Sequence, residues 1–254
     1  NYGKKFYGPS TIRTGLEKSR NLMTVRIAQE IGVDKIANFA KSLKIYDNPE
    51  KLLSISLGSA ETTLLKLTSA YSSFVNGGKL IEPIFLDRIQ DSEGITIYNS
   101  ERRTCEKCKD ISYLGDEIPK IKDNFKRIFS EETAYQITSM LEGVIQRGTG
   151  KKLRDLKVPL VGKTGTTNDN YDAWFIGSTS NLIIGVYVGF DAPKSLGKYE
   201  TGAKAALPIF KNFVQQALYK EDFKPFLIPK EILFSAIDYN SGKTESFSNP
   251  KAIV

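Results

Sequence analysis

One short segment of the chain places a lysine, small residues and hydroxyls in succession, Gly162-Lys-Thr-Gly-Thr-Thr167. It closes an apolar, β-prone run, so we expect it at the end of a strand. Side chains alternate between the faces of a strand, which puts Lys163 and Gly165 on one face and Thr164 and Thr166 on the other. Glycine lets a ligand backbone approach closely. At a sheet edge this pattern is suited to binding an extended peptide that ends in a carboxylate.

A second polar pattern, Ser19-Arg-Asn21, lies at the junction of two predicted helices and directly follows Lys18. It places a hydroxyl and an amide two residues apart. A Ser-x-Asn triplet is common, however, and on its own favours a helix cap. It becomes a candidate site only in combination with the Lys-Thr-Gly segment.

The residue types exclude several kinds of chemistry. The 254 residues include no histidine and two cysteines, which rules out Ser-His-Asp and Cys-His mechanisms and imidazole-ligated zinc or haem. Catalysis would have to use Ser, Thr, Lys, Tyr or carboxylates. Cys105 and Cys108 offer too few ligands for a structural zinc, so we expect a local disulfide or two reduced thiols. The sequence predicts no metal and no cofactor.

The charge pattern favours a soluble surface over a nucleic-acid interface. The chain has 36 Lys and Arg and 29 Asp and Glu, which gives a net charge of +7. The positive and negative residues are mixed along the chain. We therefore expect no nucleic-acid partner. No apolar stretch reaches the roughly 20 residues needed to span a bilayer, and there is no signal peptide. Because Asn1 is not a natural start, we expect any targeting segment to lie upstream.

Periodicity predicts helices in the first half of the chain and a β-meander in the second. Ser10 and Asp34 are expected to cap helices, and Ser130 to cap a longer one that Gly148 ends. The other predicted helices cover about 22–31, 61–76 and 208–217. Two strands, 80–89 and 95–98, form a predicted hairpin, and the three strands of the meander are Val158–Lys163, Ala173–Gly177 and Leu182–Gly189. The sequence thus predicts an α+β fold, with an antiparallel sheet flanked by helices.

We expect two parts of unequal size. Residues 1–220 form the main domain, which contains a polar insertion around 100–129. Residues 221–254, with Pro225, Pro229 and Pro250 and a Ser/Asn/Lys-rich end, form a small strand-and-turn appendage.

The chain resembles the transpeptidase domain of bifunctional class A penicillin-binding proteins. Lys-Thr-Gly and Ser-x-Asn are two of the three marks of penicillin-binding proteins and β-lactamases, and they occur here in the family's order. The resemblance runs in order from Tyr2 to about Phe213. The segments that carry it are Tyr2–Gly8, Arg13–Leu22, Phe74–Gly78, Arg147–Gly150, Gly162–Asn168, Asp172–Gly177 and Val188–Asp191.

The resemblance implies the fold of that family and a serine acyl transferase that cross-links peptidoglycan. In this family an active serine attacks a D-Ala-D-Ala stem peptide and passes the acyl group to an amine; β-lactams acylate the same serine. The resemblance assigns proton relay to Ser19, amide binding to Asn21 and support of Ser19 to Lys163. It assigns substrate binding to Thr164, Gly165 and Thr166: the two threonine hydroxyls bind the carboxylate, and the Thr166 N–H supplies half of the oxyanion hole.

The third mark of the family, Ser-x-x-Lys, has no match before Asn21. Two later matches, Ser195-Leu-Gly-Lys198 and Ser248-Asn-Pro-Lys251, stand in the wrong order, and the second has a proline where the family has a helix. We therefore expect no nucleophile in this chain, and we expect an upstream part of a longer protein to carry the nucleophile, its lysine and the first strands of the sheet. The alternatives are a catalytically inactive remnant and, less favoured, a β-lactamase-like hydrolase.

The resemblance also implies partners and a location. The partners are peptidoglycan stem peptides, β-lactams and an upstream glycosyltransferase domain of the same protein. Because peptidoglycan lies outside the cytoplasmic membrane, we expect the whole protein to be anchored in the bacterial inner membrane by an upstream helix. This domain then faces the periplasm or the cell exterior, where cysteines are readily oxidised.

Overall fold

The computed structural model describes residues 6–101, 103–106, 120–218 and 223–254. Its α-helices are α1 (Ile12–Glu17), α2 (Asn21–Ile31), α3 (Val33–Ser42), α4 (Leu64–Val75), α5 (Glu131–Gln146) and α6 (Ala206–Ala217). Its strands are β1 (Arg88–Gln90), β2 (Thr96–Asn99), β3 (Thr104–Glu106), β4 (Lys120–Lys122), β5 (Val161–Thr166), β6 (Ala173–Ser178) and β7 (Ile183–Val188). None of the described helices is long and apolar enough to cross a bilayer.

The predicted meander is present as a three-stranded antiparallel sheet in the order β5-β6-β7. Lys163 pairs with Ile176, and Gly165 with Trp174. The first strand differs in its bounds from the predicted Val158–Lys163, because it starts at Val161 and continues to Thr166. Pro159 explains the late start, since it lacks the N–H that a ladder requires. The Lys-Thr-Gly segment therefore lies within β5, at an edge of the described sheet.

Helices cover both faces of this sheet, as predicted. On one face, Phe175 of β6 packs edge-on against Phe210 of α6, with 4.8 Å between ring centroids, and both residues are fully buried. On the other face, α4 crosses β7 so closely that a Cβ at Gly185 would overlap the Thr68 hydroxyl. Helix α5 packs beside β5. The core on the α6 face comprises Ile145, Leu153, Leu160, Ala173, Phe175, Ala206, Leu207, Phe210 and Val214.

Two of the three predicted caps are wrong. The hydroxyl of Thr11, not that of Ser10, accepts from the backbone N–H of Thr14 at the start of α1. Helix α3 starts from Gly32 without a side-chain cap, so Asp34 lies in its first turn. Ser130 caps α5 as predicted, accepting from Thr133 N. A neighbouring polar residue can replace a predicted cap because serine, threonine and aspartate satisfy the same orphan N–H groups.

The peripheral segments are small. The predicted first strand of the hairpin, 80–89, shrinks to β1, which pairs with β2 across a bulge. Strands β3 and β4 pair within the predicted insertion, much of which, including Cys108, lies outside the described residues. Cys105 is disulfide-bonded. Near the C-terminus, Ile237 forms bridges with Thr244 and Ile253. The division into a main domain and an appendage remains a prediction.

Candidate functional site

Ser19 occupies the tight turn between α1 and α2. Its φ of 52° is left-handed, a conformation that costs a non-glycine residue roughly 1–2 kcal/mol. The turn is closed by two backbone hydrogen bonds, from Ser19 N to Leu16 O and from Arg20 N to Gly15 O. The serine is exposed, so the turn presents its hydroxyl outward.

Lys163 reaches the Ser19 hydroxyl from β5. Its Nζ donates to Ser19 Oγ at 2.8 Å and to the carbonyl of Thr164 at 2.9 Å. The structure thus brings together two predicted site residues that are far apart in the sequence. Burial lowers the pKa of Lys163 from 10.5 to about 8, since a buried site disfavours the charged form. At pH 7 the amine is still mostly protonated, so it donates to Ser19 Oγ and leaves the serine's own proton free for another acceptor.

The two threonines of β5 lie on the face opposite Lys163, as predicted from alternation. Thr164 Oγ1 is 2.8 Å from Thr149 Oγ1, and Thr166 Oγ1 accepts from Gly202 N at 3.0 Å. A Cβ at Gly202 would overlap the carbonyl oxygen of Gly165, so the loop before α6 lies directly on the strand. The Thr166 hydroxyl still has its proton to donate.

Asn21 is the first residue of α2. Its side chain is exposed and makes no hydrogen bond with the described residues. Of the two later serines, Ser195 donates from Oγ to Asp169 O at 2.8 Å, and Ser248 Oγ lies 2.7 Å from Ser246 Oγ. Both hydroxyls are held within surface loops.

Three residues beside the site have no role assigned from the sequence: Glu17, Arg147 and Thr149. The carboxylate of Glu17 is fully buried and forms an ion pair with Arg147, with 2.7 Å between Nη2 and Oε1. The Glu17 carbonyl accepts from the backbone N–H of Thr149 at 3.2 Å. Two features of the sequence could have indicated this ion pair: a glutamate inside the first helix, and glycines at 143 and 148 in and after α5. The burial of the glutamate, however, depends on how α1 packs on α5.

The family is decided by comparison with known proteins. The model of the penicillin binding protein transpeptidase domain matches residues 1–215. The chain belongs to this transpeptidase family. It is 45% identical over 247 residues to penicillin-binding protein 1A of Rickettsia prowazekii, covering 96% of this chain and 31% of that protein. Penicillin-binding protein 1A of Pseudomonas aeruginosa is 33% identical, with 97% of this chain and 34% of that protein covered.

A solved structure agrees with this assignment. The crystal structure of penicillin-binding protein 1A from Haemophilus influenzae superposes with a TM-score of 0.80 at 32% identity, covering 96% of this chain and 41% of that one. The predicted α+β transpeptidase fold is thereby confirmed. The chain spans about a third of the length of the curated relatives it matches.

Proposed function

We propose that this chain supplies the substrate-receiving part of a serine D,D-transpeptidase that cross-links peptidoglycan. In that reaction a serine outside this chain attacks the carbonyl carbon of the penultimate D-Ala, and the bond to the terminal D-Ala breaks. The amine of a second stem peptide then displaces the serine from the acyl carbon. Penicillin-binding relatives of about three times the length support the proposal that the remaining parts, a glycosyltransferase domain and a membrane anchor included, belong to the same protein.

The contact between Lys163 and Ser19 carries the proposal. A leaving amine must gain a proton, and a hydroxyl hydrogen-bonded to an ammonium group is suited to supply it. Lys163 donates to Ser19 Oγ at 2.8 Å, so Ser19 is able to pass its proton to the departing nitrogen and recover one from the lysine. The lowered pKa of Lys163 makes this return transfer easier at neutral pH.

The exposed edge of β5 supports a peptide donor. An extended stem peptide would add to this edge through backbone hydrogen bonds. The hydroxyls of Thr164 and Thr166 would then hold the terminal carboxylate, the Thr166 N–H would contribute to the oxyanion hole, and Asn21 would bind the substrate amide. β-Lactams, which mimic the donor, would bind at the same edge.

The chain is expected not to form a covalent adduct by itself, because acylation requires a nucleophile before oxyanion stabilisation has any effect. The test uses a fluorescent penicillin, denaturing electrophoresis and intact-mass measurement. We expect the 254-residue chain to stay unlabelled. A chimera that joins it to the preceding part of the R. prowazekii relative should be labelled, and Lys163→Ala should slow that labelling by at least about 10²-fold.

Two results would count against this proposal. A stoichiometric adduct on any serine of the isolated chain, Ser19 and Ser195 included, would show that the nucleophile is present. A folded chimera that is not labelled would indicate an inactive remnant. Fractionation of the whole protein tests the location: we expect it in the inner-membrane fraction with this domain outside, and recovery in the soluble cytosol would contradict that.

A further inference from the structure

We propose that Glu17 and Arg147 are positioning residues, whose buried ion pair holds Ser19 against Lys163. This inference rests on the proposed function, because it assigns the pair a role in that same site. Neither residue lies on β5, to whose edge the stem peptide is proposed to bind. Their effect would pass through the turn that carries Ser19 and the loop that carries Thr149.

The pair is built for a fixed geometry. Arg147 donates from Nη2 to Glu17 Oε1 at 2.7 Å and from Nε to Oε2 at 3.2 Å, which gives a two-point contact. The Glu17 side chain is 0% exposed and that of Arg147 31%. A second guanidinium, that of Arg13, lies 4.0 Å from Glu17 Oε1. Burying a carboxylate is costly, so such a pair persists only where its partners are well aligned.

Two glycines on the α5 side make room for Glu17. A Cβ at Gly143 would overlap Glu17 Oε1 and lie 2.7 Å from Arg147 Nη2. A Cβ at Gly148 would overlap the carbonyl oxygen of Glu17. Glycine in the middle of a helix costs roughly 0.5–1 kcal/mol relative to alanine. Gly143 therefore lowers the stability of α5 in order to admit the carboxylate.

The anchored segment leads directly to the site. Lys18 Nζ donates to the carbonyl of Arg147, and the Glu17 carbonyl accepts from Thr149 N, so both residues before Ser19 are tied to the end of α5. Ser19 then turns at a φ of 52°. With two neighbours fixed and its own backbone in a sparsely populated conformation, the serine has little freedom to move away from Lys163.

The same anchor reaches the opposite face of β5. Thr149, held by the Glu17 carbonyl, places its hydroxyl 2.8 Å from that of Thr164. One ion pair thus holds both the proposed proton relay and a proposed carboxylate-binding hydroxyl. This coupling distinguishes a positioning role from simple stabilisation of the α1–α5 contact.

Gly143→Ala tests the proposal without changing any charge. The added methyl displaces Glu17, while every charged group of the chain is kept. The matched control is Gln136→Ala, which places the same residue at an exposed position of the same helix. Both variants therefore carry one new alanine in α5.

The first measurement is an NMR titration of Lys163 in the 254-residue chain labelled with ¹³C-lysine. The signal is assigned by its loss in Lys163→Arg. In Gly143→Ala we expect the midpoint to rise from about 8 toward the ordinary 10.5, because the loosened turn admits water. Gln136→Ala should titrate like the parent. A folded Gly143→Ala chain with an unchanged midpoint would overturn the inference.

The second measurement is the rate of penicillin labelling in the chimera. We expect Gly143→Ala to be at least about tenfold slower than the parent and Gln136→Ala to be unchanged. Arg147→Lys, which keeps the charge but not the two-point contact, should retain more activity than Arg147→Met. If Gly143→Ala does not fold, the two Arg147 variants decide. Labelling of both at the parental rate, or unfolding of every variant, would mean that the ion pair contributes only to stability. An unlabelled parent chimera would instead contradict the proposed function, and the titration would still test the pair.

Discussion

Lys163 is the residue at which the site lowers the stability of the folded chain. Its side chain is half-buried, and desolvation lowers its pKa from 10.5 to about 8. Below pH 8 the folded protein therefore keeps a positive charge in a site that disfavours it. A shift of this size corresponds to about 3 kcal/mol of stability, at 1.36 kcal/mol per pKa unit. The chain gives up this stability to place an amine beside Ser19.

The first prediction concerns the pH dependence of stability. Between pH 8 and 10.5 the unfolded chain binds the Lys163 proton more strongly than the folded one, so stability rises with pH across this window. Lys163→Met should lack this rise. In urea unfolding, we expect the parent to gain about 3 kcal/mol relative to Lys163→Met between pH 7.5 and 10.5. Parallel pH curves for the two proteins would show that the lysine is not buried in solution.

The candidate site could be predicted from the sequence only in part. Ser19, Asn21 and Lys163 were identified because the spacing of their motifs resembles a known family, and the contact between Ser19 and Lys163 is present. The ion pair of Glu17 with Arg147 was not predicted. Both residues lie in segments that carry the family resemblance. A charged residue in a helix is ordinarily solvated, however, and only the packing of α1 on α5 reveals that Glu17 is buried.

At the scale of elements, the sheet was easier to predict than the helix starts. Apolar β-prone runs separated by short turns determine the β5-β6-β7 meander, because antiparallel neighbours require little connecting chain. Helix caps depend on a single polar residue, and α1 and α3 each start at a residue other than the one predicted. The hairpin was predicted too long because Leu80 to Asp87 is largely apolar, although none of these residues belongs to a strand.

The hairpin β1–β2 differs from the sheet in how its apolar side chains are used. Ile95 is 58% exposed and Ile97 67% exposed, whereas Phe210 in the core is fully buried. A two-stranded hairpin contributes little stability unless it packs against another layer. Among the described residues, the stability of the domain should therefore depend on the core around Phe210 and not on the hairpin.

The second prediction compares these two elements. Phe210→Ala should lower the free energy of unfolding by about 3–5 kcal/mol, since it leaves a cavity against Phe175. Ile95→Thr and Ile97→Thr should change it by no more than about 0.5 kcal/mol. Urea unfolding of the three variants checks both values. A large loss in either hairpin variant would mean that the hairpin packs against other parts of the molecule.

At the scale of the whole molecule, the C-terminal segment bears on the site through α1 and α5. The carbonyl of Tyr239 accepts from Thr14 Oγ1 at 3.3 Å, and the Tyr239 ring lies 5.5 Å from the guanidinium of Arg147. The ring of Phe234 packs edge-on against Tyr135 of α5, 6.4 Å away. Ala236 is almost fully buried. The segment therefore covers the junction at which Glu17 and Arg147 meet.

These contacts tie the described part of the predicted appendage, residues 223–254, to α1 and α5. A chain that ends at Lys220 should lose about 2–4 kcal/mol of stability, from one buried side chain and one aromatic contact. Tyr239→Ala should reproduce part of this loss, while Phe247→Ser, at a side chain that is 69% exposed, should not. In the chimera, the truncated protein should also be labelled more slowly by penicillin, because water gains access to the ion pair. An appendage that folds independently would leave both the unfolding midpoint and the labelling rate unchanged.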